Sequence, residues 1–438
     1  MAKVRVAILG AAGRDFHNFN TFFRNNPNYE VVCFTAAQIP DIAGRKYPPV
    51  LSGKLYPKGI SIFDEKDLPA IIKKYKIQEA FFSYSDVSHE TVMHMASLVQ
   101  ASGASFSLLG PAATEIKSKK PVISIVAVRT GCGKSQTTRR VVEILRKNKK
   151  KVVVIRHPMP YGDLSKQVVQ RFATFKDLDK HNCTIEEREE YEPHIEKGAI
   201  VYAGVDYEKI LRKAEKEADF ILWDGGNNDF SFYKADLTFV VVDPHRAGHE
   251  MSYYPGETNF RKADYIVMNK EDSAKKADIE NIILNAKKYN PSAGIIHADS
   301  RITVEKPSAI KGKKALVIED GPTLTHGGMK FGAGFLAAKN FGAKSVVDPR
   351  KYAVDSIKST YAKYNHLDKI LPAMGYGSKQ MKDLERTIEK VECDVVLGAT
   401  PINLLRIIKI KKPYVRVFYE LKEKGVSIET ILRKKFKL

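Results

Sequence analysis

The stretch VRTGCGKSQTT, residues 128–138, follows the apolar run VISIVA at 122–127 and leads into RRVVEILRK. The run is short, β-branched and continuous, as a strand buried on both faces should be. From Lys134 onward, Val141, Val142 and Leu145 recur at helical spacing, and the basic run KNKKK closes the helix. Between strand and helix, Gly131 and Gly133 let successive backbone N–H groups turn inward around an anion. The helix N-terminus adds its partial positive charge. In this setting Lys134 reaches the terminal phosphates of a nucleotide and the Ser135 hydroxyl ligates Mg²⁺, with Gly131, Cys132, Gly133 and Gln136 completing the contacts. Val128 stands where the pattern G-x-x-x-x-G-K-[ST] has its first glycine; the remainder is present in the required context.

A chain of 438 residues is too long for one ordinary core, so two or three domains are expected. The 43% hydrophobic content suits a soluble globular protein. No apolar run approaches the ~20 residues of a membrane helix, and MAKVRVAILG runs into a strand without signal or transit character. Cys33, Cys132, Cys183 and Cys393 form no CxxC pair, which points to a reducing cytoplasm without structural zinc. Lys plus Arg exceed Asp plus Glu by 72 to 51, a formal charge of +21. Such an excess suits nucleic acid, polyphosphate ligands or an ion-pair-rich surface alike. The lysines are spread along the chain, and no RNP pattern, helix-turn-helix or zinc finger accompanies them, so nucleic acid is not the expected partner. A homodimer is.

The pattern of strands and helices divides into three consecutive α/β units. These are an N-terminal Rossmann-like domain (1–117), a central P-loop NTPase domain (121–305) and a C-terminal α/β domain for the acceptor (306–438). In the first, Gly10 and Gly13 give only part of a dinucleotide fingerprint, and the second strand ends in Thr35 and Ala36 rather than an acidic residue. Another phosphorylated ligand, or a purely supporting role, is expected there, with Arg14, Asp15 and His17 as candidate site residues. In the second, EEREEYEPHIEKG reads as a solvated helix and loop, and AGIIHADS as the strand that closes the sheet.

WDGGNND supplies the acidic strand end that a phosphate loop needs, and Asp224 is expected to hold the Mg²⁺ shell. RHPMPYGD lies where related NTPases place a mobile switch; Arg156, His157 and Asp163 can meet phosphate or metal there. Lys134, Asp224 and Asp163 are thus the catalytic candidates, and Ser135, Asp224 and Asp163 the metal ligands. NKED, residues 269–272, ends a late strand as the N-K-x-D of GTPases does, so Asn269, Lys270 and Asp272 are candidates for reading the base. His245 and His249 stand four apart, but Pro244 and Gly248 argue against a shared helical face, so a substrate or nucleotide contact is expected of His245 rather than zinc. EDGPTLTHGGMKFGAG, residues 319–334, exposes glycine amides beside Thr323, Thr325, His326, Gly327, Gly328 and Lys330, a second anion site for a small phosphorylated substrate.

VRTGCGKSQTT, WDGGNND, the NK of VMNKED, EDGPTLTHGGM, LPAMGYG and LGATPINL together resemble the archaeal and bacterial cyclic 2,3-diphosphoglycerate synthetases, a group that includes proteins described as P-loop GTPases. The resemblance implies ATP- and Mg²⁺-dependent closure of an intramolecular phosphoanhydride in 2,3-bisphosphoglycerate, with release of ADP and phosphate. The second expectation is a regulatory or assembly GTPase that hydrolyses GTP with no small acceptor, which NKED favours and the 319–334 loop does not.

Overall fold

In the computed structural model, which describes residues 2–37, 44–157, 163–325, 329–374 and 378–438, the chain is a mixed α/β protein built on two large sheets. The N-terminal sheet has six strands, in the order Lys46–Tyr47, Ile60–Asp64, Tyr29–Ala36, Val4–Leu9, Glu79–Phe82 and Ser105–Ser107. All its pairings are parallel except at the Lys46–Tyr47 edge. Both faces are covered, by Phe16, Phe19 and Phe23 on one side and Leu68, Ile72 and Val99 on the other.

The second sheet has thirteen strands and joins the central and C-terminal units. Its central half orders Ile200–Ala203, Val152–Arg156, Phe220–Trp223, Val122–Ala127, Leu237–Val242, Tyr265–Met268 and Gly294–Val304, all parallel. Val122–Ala127 is flanked on both sides and every residue of it is buried, which accounts for its unbroken apolar run.

Gly294–Val304 does not close the sheet, as AGIIHADS was expected to. It runs beyond its parallel neighbour and pairs antiparallel with Tyr414–Lys424, from His297 opposite Lys424 to Val304 opposite Val417. Tyr414–Lys424 then pairs parallel with Val395–Ala399, and that strand with Lys314–Asp320. The antiparallel seam reverses strand direction, so the carboxyl ends of the two half-sheets point toward each other. The expected units 121–305 and 306–438 therefore share one hydrogen-bonded sheet, and Asp320 ends its strand on the side of the phosphate loop.

The helix Ile185–Glu196 is a second departure. EEREEYEPHIEKG was expected to be solvated, yet Glu186, Glu187, Glu189, Glu192 and His194 are all buried. The helix sits between the half-sheets: Tyr191 and Ile195 pack in the central core and Ile185 in the C-terminal one. Its apolar residues are too few to betray a helix buried on two sides.

The N-terminal unit meets the central one through a buried interface. Arg14 pairs with Asp229 and lies over the Phe230 ring at 4.2 Å. His157 Nε2 is 2.7 Å from the other Asp229 oxygen. The glycine turn faces inward too: a Cβ on Gly13 would come within 3.3 Å of the His157 ring. Asp15 accepts the amides of Ala12 (2.6 Å) and Phe16 (2.7 Å), N–H groups that a pyrophosphate at this turn would need.

His17 stacks on Phe232 with ring centroids 4.0 Å apart, and its Nε2–H donates to the Thr114 carbonyl at 2.9 Å. Burial lowers its pKa from 6.5 to about 3, the Thr114 bond opposing. Below pH 6.5 the unfolded chain therefore binds a proton that the folded chain refuses. The stability that neutral His17 supplies is full above that pH and is lost as the pH falls toward about 3. Asp15 titrates with the opposite sign, since burial raises it to about 7, so the check compares two proteins rather than two pH values. Between pH ~6 and ~4 the unfolding free energy of His17→Gln should fall less steeply than wild type by about 1.4 kcal/mol per pH unit. Equal slopes in chemical denaturation would show that His17 takes up its proton without unfolding.

Candidate active site

The phosphate loop occupies residues 128–133 between Val122–Ala127 and the helix Lys134–Lys147. Gly131 and Gly133 have φ of +85° and +108°, a region that costs a side-chain-bearing residue. At Gly133 space is also lacking, because a Cβ would stand 2.0 Å from Asn269 Nδ2.

The loop is braced from three sides. Asn269 Nδ2 donates to the Cys132 carbonyl at 3.0 Å, and Lys270 Nζ to that of Gly131 at 2.7 Å. Lys270 also pairs with buried Asp243 at 2.7 Å, as does Arg246 at 3.3 Å, and Arg246 donates to the Thr130 carbonyl at 2.8 Å. From the N-terminal unit, Asp86 accepts from Arg129 Nε (2.6 Å) and the Thr130 amide (3.1 Å). The N-terminal unit thus supports the loop through Asp86, while its own glycine turn packs against His157.

Lys134 and Asp224 form the centre. Lys134 Nζ lies 2.5 Å from Asp224 Oδ1, and Asp224 is fully buried at the end of Phe220–Trp223. The second carboxylate oxygen faces Arg156 at 2.8 Å, an ion pair rather than an aligned hydrogen bond, and His194 Nε2 at 3.1 Å. Burial alone would raise the Asp224 pKa, but Arg156 and Lys134, helped by His194, hold it well below the usual carboxylate range. Burial and the neighbouring Arg156 bring Lys134 down to about 8, against the pull of Asp224. Arg156 also pairs with Glu190 of the helix Ile185–Glu196.

The other candidates are more dispersed. Ser135 is half-buried, and Gln136 donates to Ser300 Oγ at 3.1 Å, across to the Gly294–Val304 strand. Asp272 is exposed and accepts from the Ser300 amide at 3.3 Å. His245 Nε2 lies 2.9 Å from Ser273 Oγ. His249 stacks on Tyr253 and contacts Arg129 at 3.2 Å. Asp163 is exposed, accepting the Ser165 amide at 3.0 Å, whereas Arg14 and His17 are locked in the interface. Thr325 donates to the Gly321 carbonyl at 2.8 Å and Lys330 is exposed. His326, Gly327, Gly328 and the Thr323 side chain lie outside the described residues. Sequence reasoning missed His194, Asp243, Arg246 and Asp86; His194 reaches Asp224 and the others brace the loop, each from a distant element, and only the acidic strand end of LTFVVVD, like that of Asp224, offered a signal.

No family model matches the chain. The arginine synthetase ArcE of Thermococcus kodakarensis is 65% identical over 423 residues, 97% of this chain and 94% of the relative. The chain belongs to the ArcE arginine synthetase family. Among solved structures, this ArcE-family chain is similar to LpxK from Aquifex aeolicus, in complex with ATP, at 11% identity and a TM-score of 0.45, over 84% of this chain and 98% of that one. The MinD cell division protein of Aquifex aeolicus matches at 17% identity and a TM-score of 0.23, over 40% of this chain and 81% of its own. Neither likeness bears on function at those scores. Among the described residues, no helix is long and apolar enough to cross a membrane.

Proposed function

We propose that this chain is a nucleotide-dependent synthetase that works by phosphoryl transfer and whose product is arginine. The observation that carries the transfer chemistry is the braced phosphate loop with Lys134 held against buried Asp224. Arginine as the product is suggested by the name of the nearly full-length relative.

The chemistry fits the parts. Arginine differs from its ureido analogue by a nitrogen in place of one oxygen on the terminal carbon, and that oxygen is a poor leaving group. Transfer of the γ-phosphoryl group to it breaks the β–γ anhydride, releases ADP and turns the oxygen into a phosphate ester. Ammonia then adds at the carbon, loses a proton and expels phosphate. The protein's share is alignment and charge neutralisation. Lys134 balances the transferring phosphoryl group, and the loop amides hold the chain of phosphates. Ser135 and Asp224 offer the hard oxygens that suit Mg²⁺, which keeps several waters and needs few protein ligands. Bound there, Mg²⁺ would neutralise charge on the β- and γ-oxygens. Asn269 and Lys270 are engaged in holding the loop, a service any nucleotide needs, so NKED does not by itself select guanine, and ATP is the proposed cosubstrate.

The cyclic 2,3-diphosphoglycerate reading shares the transfer step and differs in the acceptor. The test is ADP release with Mg²⁺ and either nucleotide, in parallel with the ureido analogue plus ammonium and with 2,3-bisphosphoglycerate. Turnover with the first pair, accompanied by arginine, is expected. Turnover with 2,3-bisphosphoglycerate alone would overturn the arginine reading.

A further inference from the structure

The Asp224 carboxylate is held from three separate elements, each in a different way. Lys134 Nζ lies 2.5 Å from Oδ1. At Oδ2, Arg156 makes an ion pair at 2.8 Å without an aligned hydrogen bond, whereas His194 Nε2 is hydrogen-bonded at 3.1 Å. Among the described residues His194 is therefore the aligned donor to Oδ2. His194 is 2% exposed, and its Nδ1 is buried with no hydrogen-bond partner. A proton on Nδ1 would be a buried donor with nothing to accept it. The neutral ring therefore carries its proton on Nε2 and donates it to the carboxylate.

The helix that carries His194 is tied to both half-sheets. Tyr191 and Ile195 anchor it in the central core and Ile185 in the C-terminal one. Arg406, from the turn Leu404–Arg406 of the C-terminal half, pairs with Glu192 at 3.5 Å and with Glu196 at 3.0 Å. His194 thus stands on an element that neither half-sheet leaves free to shift. During phosphoryl transfer Lys134 must serve the transferring group, and a lysine shared with phosphate no longer fixes the Asp224 carboxylate. The hydrogen bond that then sets the plane of that carboxylate is the one from His194.

We propose that His194 is a positioning residue, whose Nε2–H fixes the orientation of the Asp224 carboxylate for the metal and phosphate chemistry at Lys134. The inference rests on the phosphoryl-transfer reading, since that reading gives Asp224 its task. A carboxylate that ligates a metal depends on the hydrogen bond behind it for its orientation, and losing that bond lowers metal affinity or activity while the fold persists.

The test compares His194→Gln, His194→Asn and His194→Leu with wild type. The Gln amide nitrogen reaches the place of Nε2, the Asn amide nitrogen that of Nδ1, and Leu donates nothing. One readout is Mn²⁺ binding beside a non-hydrolysable ATP analogue, followed by electron paramagnetic resonance with no acceptor present. The other is ATP turnover with the ureido analogue and ammonium. His194→Leu and His194→Asn should lose roughly 10- to 100-fold in Mn²⁺ affinity and in kcat, with the nucleotide KM at saturating Mg²⁺ unchanged. His194→Gln should recover most of both. Folding should survive, because Asp224 keeps Lys134 and Arg156 as partners. Should His194→Leu fail to fold, the contrast between Gln and Asn decides alone. Gln no better than Asn would make His194 a packing residue and overturn the inference. So would wild-type Mn²⁺ affinity and kcat in His194→Leu, or Mn²⁺ binding that Asp224→Asn leaves intact; with arginine formation by wild type undisturbed, those results would not touch the reading beneath. A wild type that forms no arginine, yet binds Mn²⁺ with this dependence on His194, would overturn the product and leave the positioning of Asp224 standing.

Discussion

Lys134→Ala should leave no measurable nucleotide turnover. The side chain stands at the first position of the Lys134–Lys147 helix, with the loop glycines behind it and its ammonium 2.5 Å from Asp224. Its pKa near 8 leaves it charged through most of the physiological range, while burial makes it a less hydrated and stronger partner for phosphate than a surface lysine. Removing a preorganised charge from the transferring phosphoryl group costs roughly 10²–10³ in rate for one donor, and more where the donor is cationic. Nucleotide affinity should fall as well. Folding should survive, because Asp224 keeps Arg156 and His194 as partners. Turnover undiminished in this variant would sink the phosphate-loop assignment.

Asp224→Asn should destabilise the fold as well as silence it. One carboxylate with no solvent exposure is the common partner of Lys134, Arg156 and His194. Neutralising it leaves Lys134 and Arg156 facing each other with only Glu190 to compensate. Breaking a buried ion pair from one side costs about 3–5 kcal/mol, and the remaining Glu190 contact points to the low end of that range. The urea midpoint should therefore move down while the slope holds, the signature of lost stability rather than altered compactness. A midpoint shift worth under about 1 kcal/mol would mean that the four groups do not form the network described, since such a loss is ordinary for any substitution.

The parts of this site that could be read in the sequence are those in which chemistry and local pattern coincide. Around 122–147 an unbroken β-branched run, a glycine pair and an amphipathic helix follow one another, and the structure has strand, loop and helix at those places. Asp224 was legible because a strand end is a fixed position in a parallel sheet. His194 and Glu189 were not, because a helix rich in glutamate looks solvated until a second layer covers it. The Gly294–Val304 strand shows its double role only in the fold. Its buried residues stop at Ala298 and the remainder alternates half-buried with exposed, the mark of a strand leaving the parallel core for an antiparallel seam. Arg14 and His17 show the limit in the other direction. A polar glycine turn reads the same whether it faces water or, as here, the aromatic wall formed by Phe230 and Phe232.

The most direct test of the account is a ³¹P NMR time course with Mg²⁺ and ATP or GTP, run with and without the ureido analogue of arginine and ammonium. The account predicts that ATP signals give way to ADP and inorganic phosphate only when acceptor and ammonium are both present, with one arginine formed per phosphate. Phosphate released at the same rate without an acceptor, above all from GTP, would contradict it and make the chain a nucleotide switch. A new upfield phosphoanhydride signal with 2,3-bisphosphoglycerate would contradict the arginine product while leaving the phosphate loop in place.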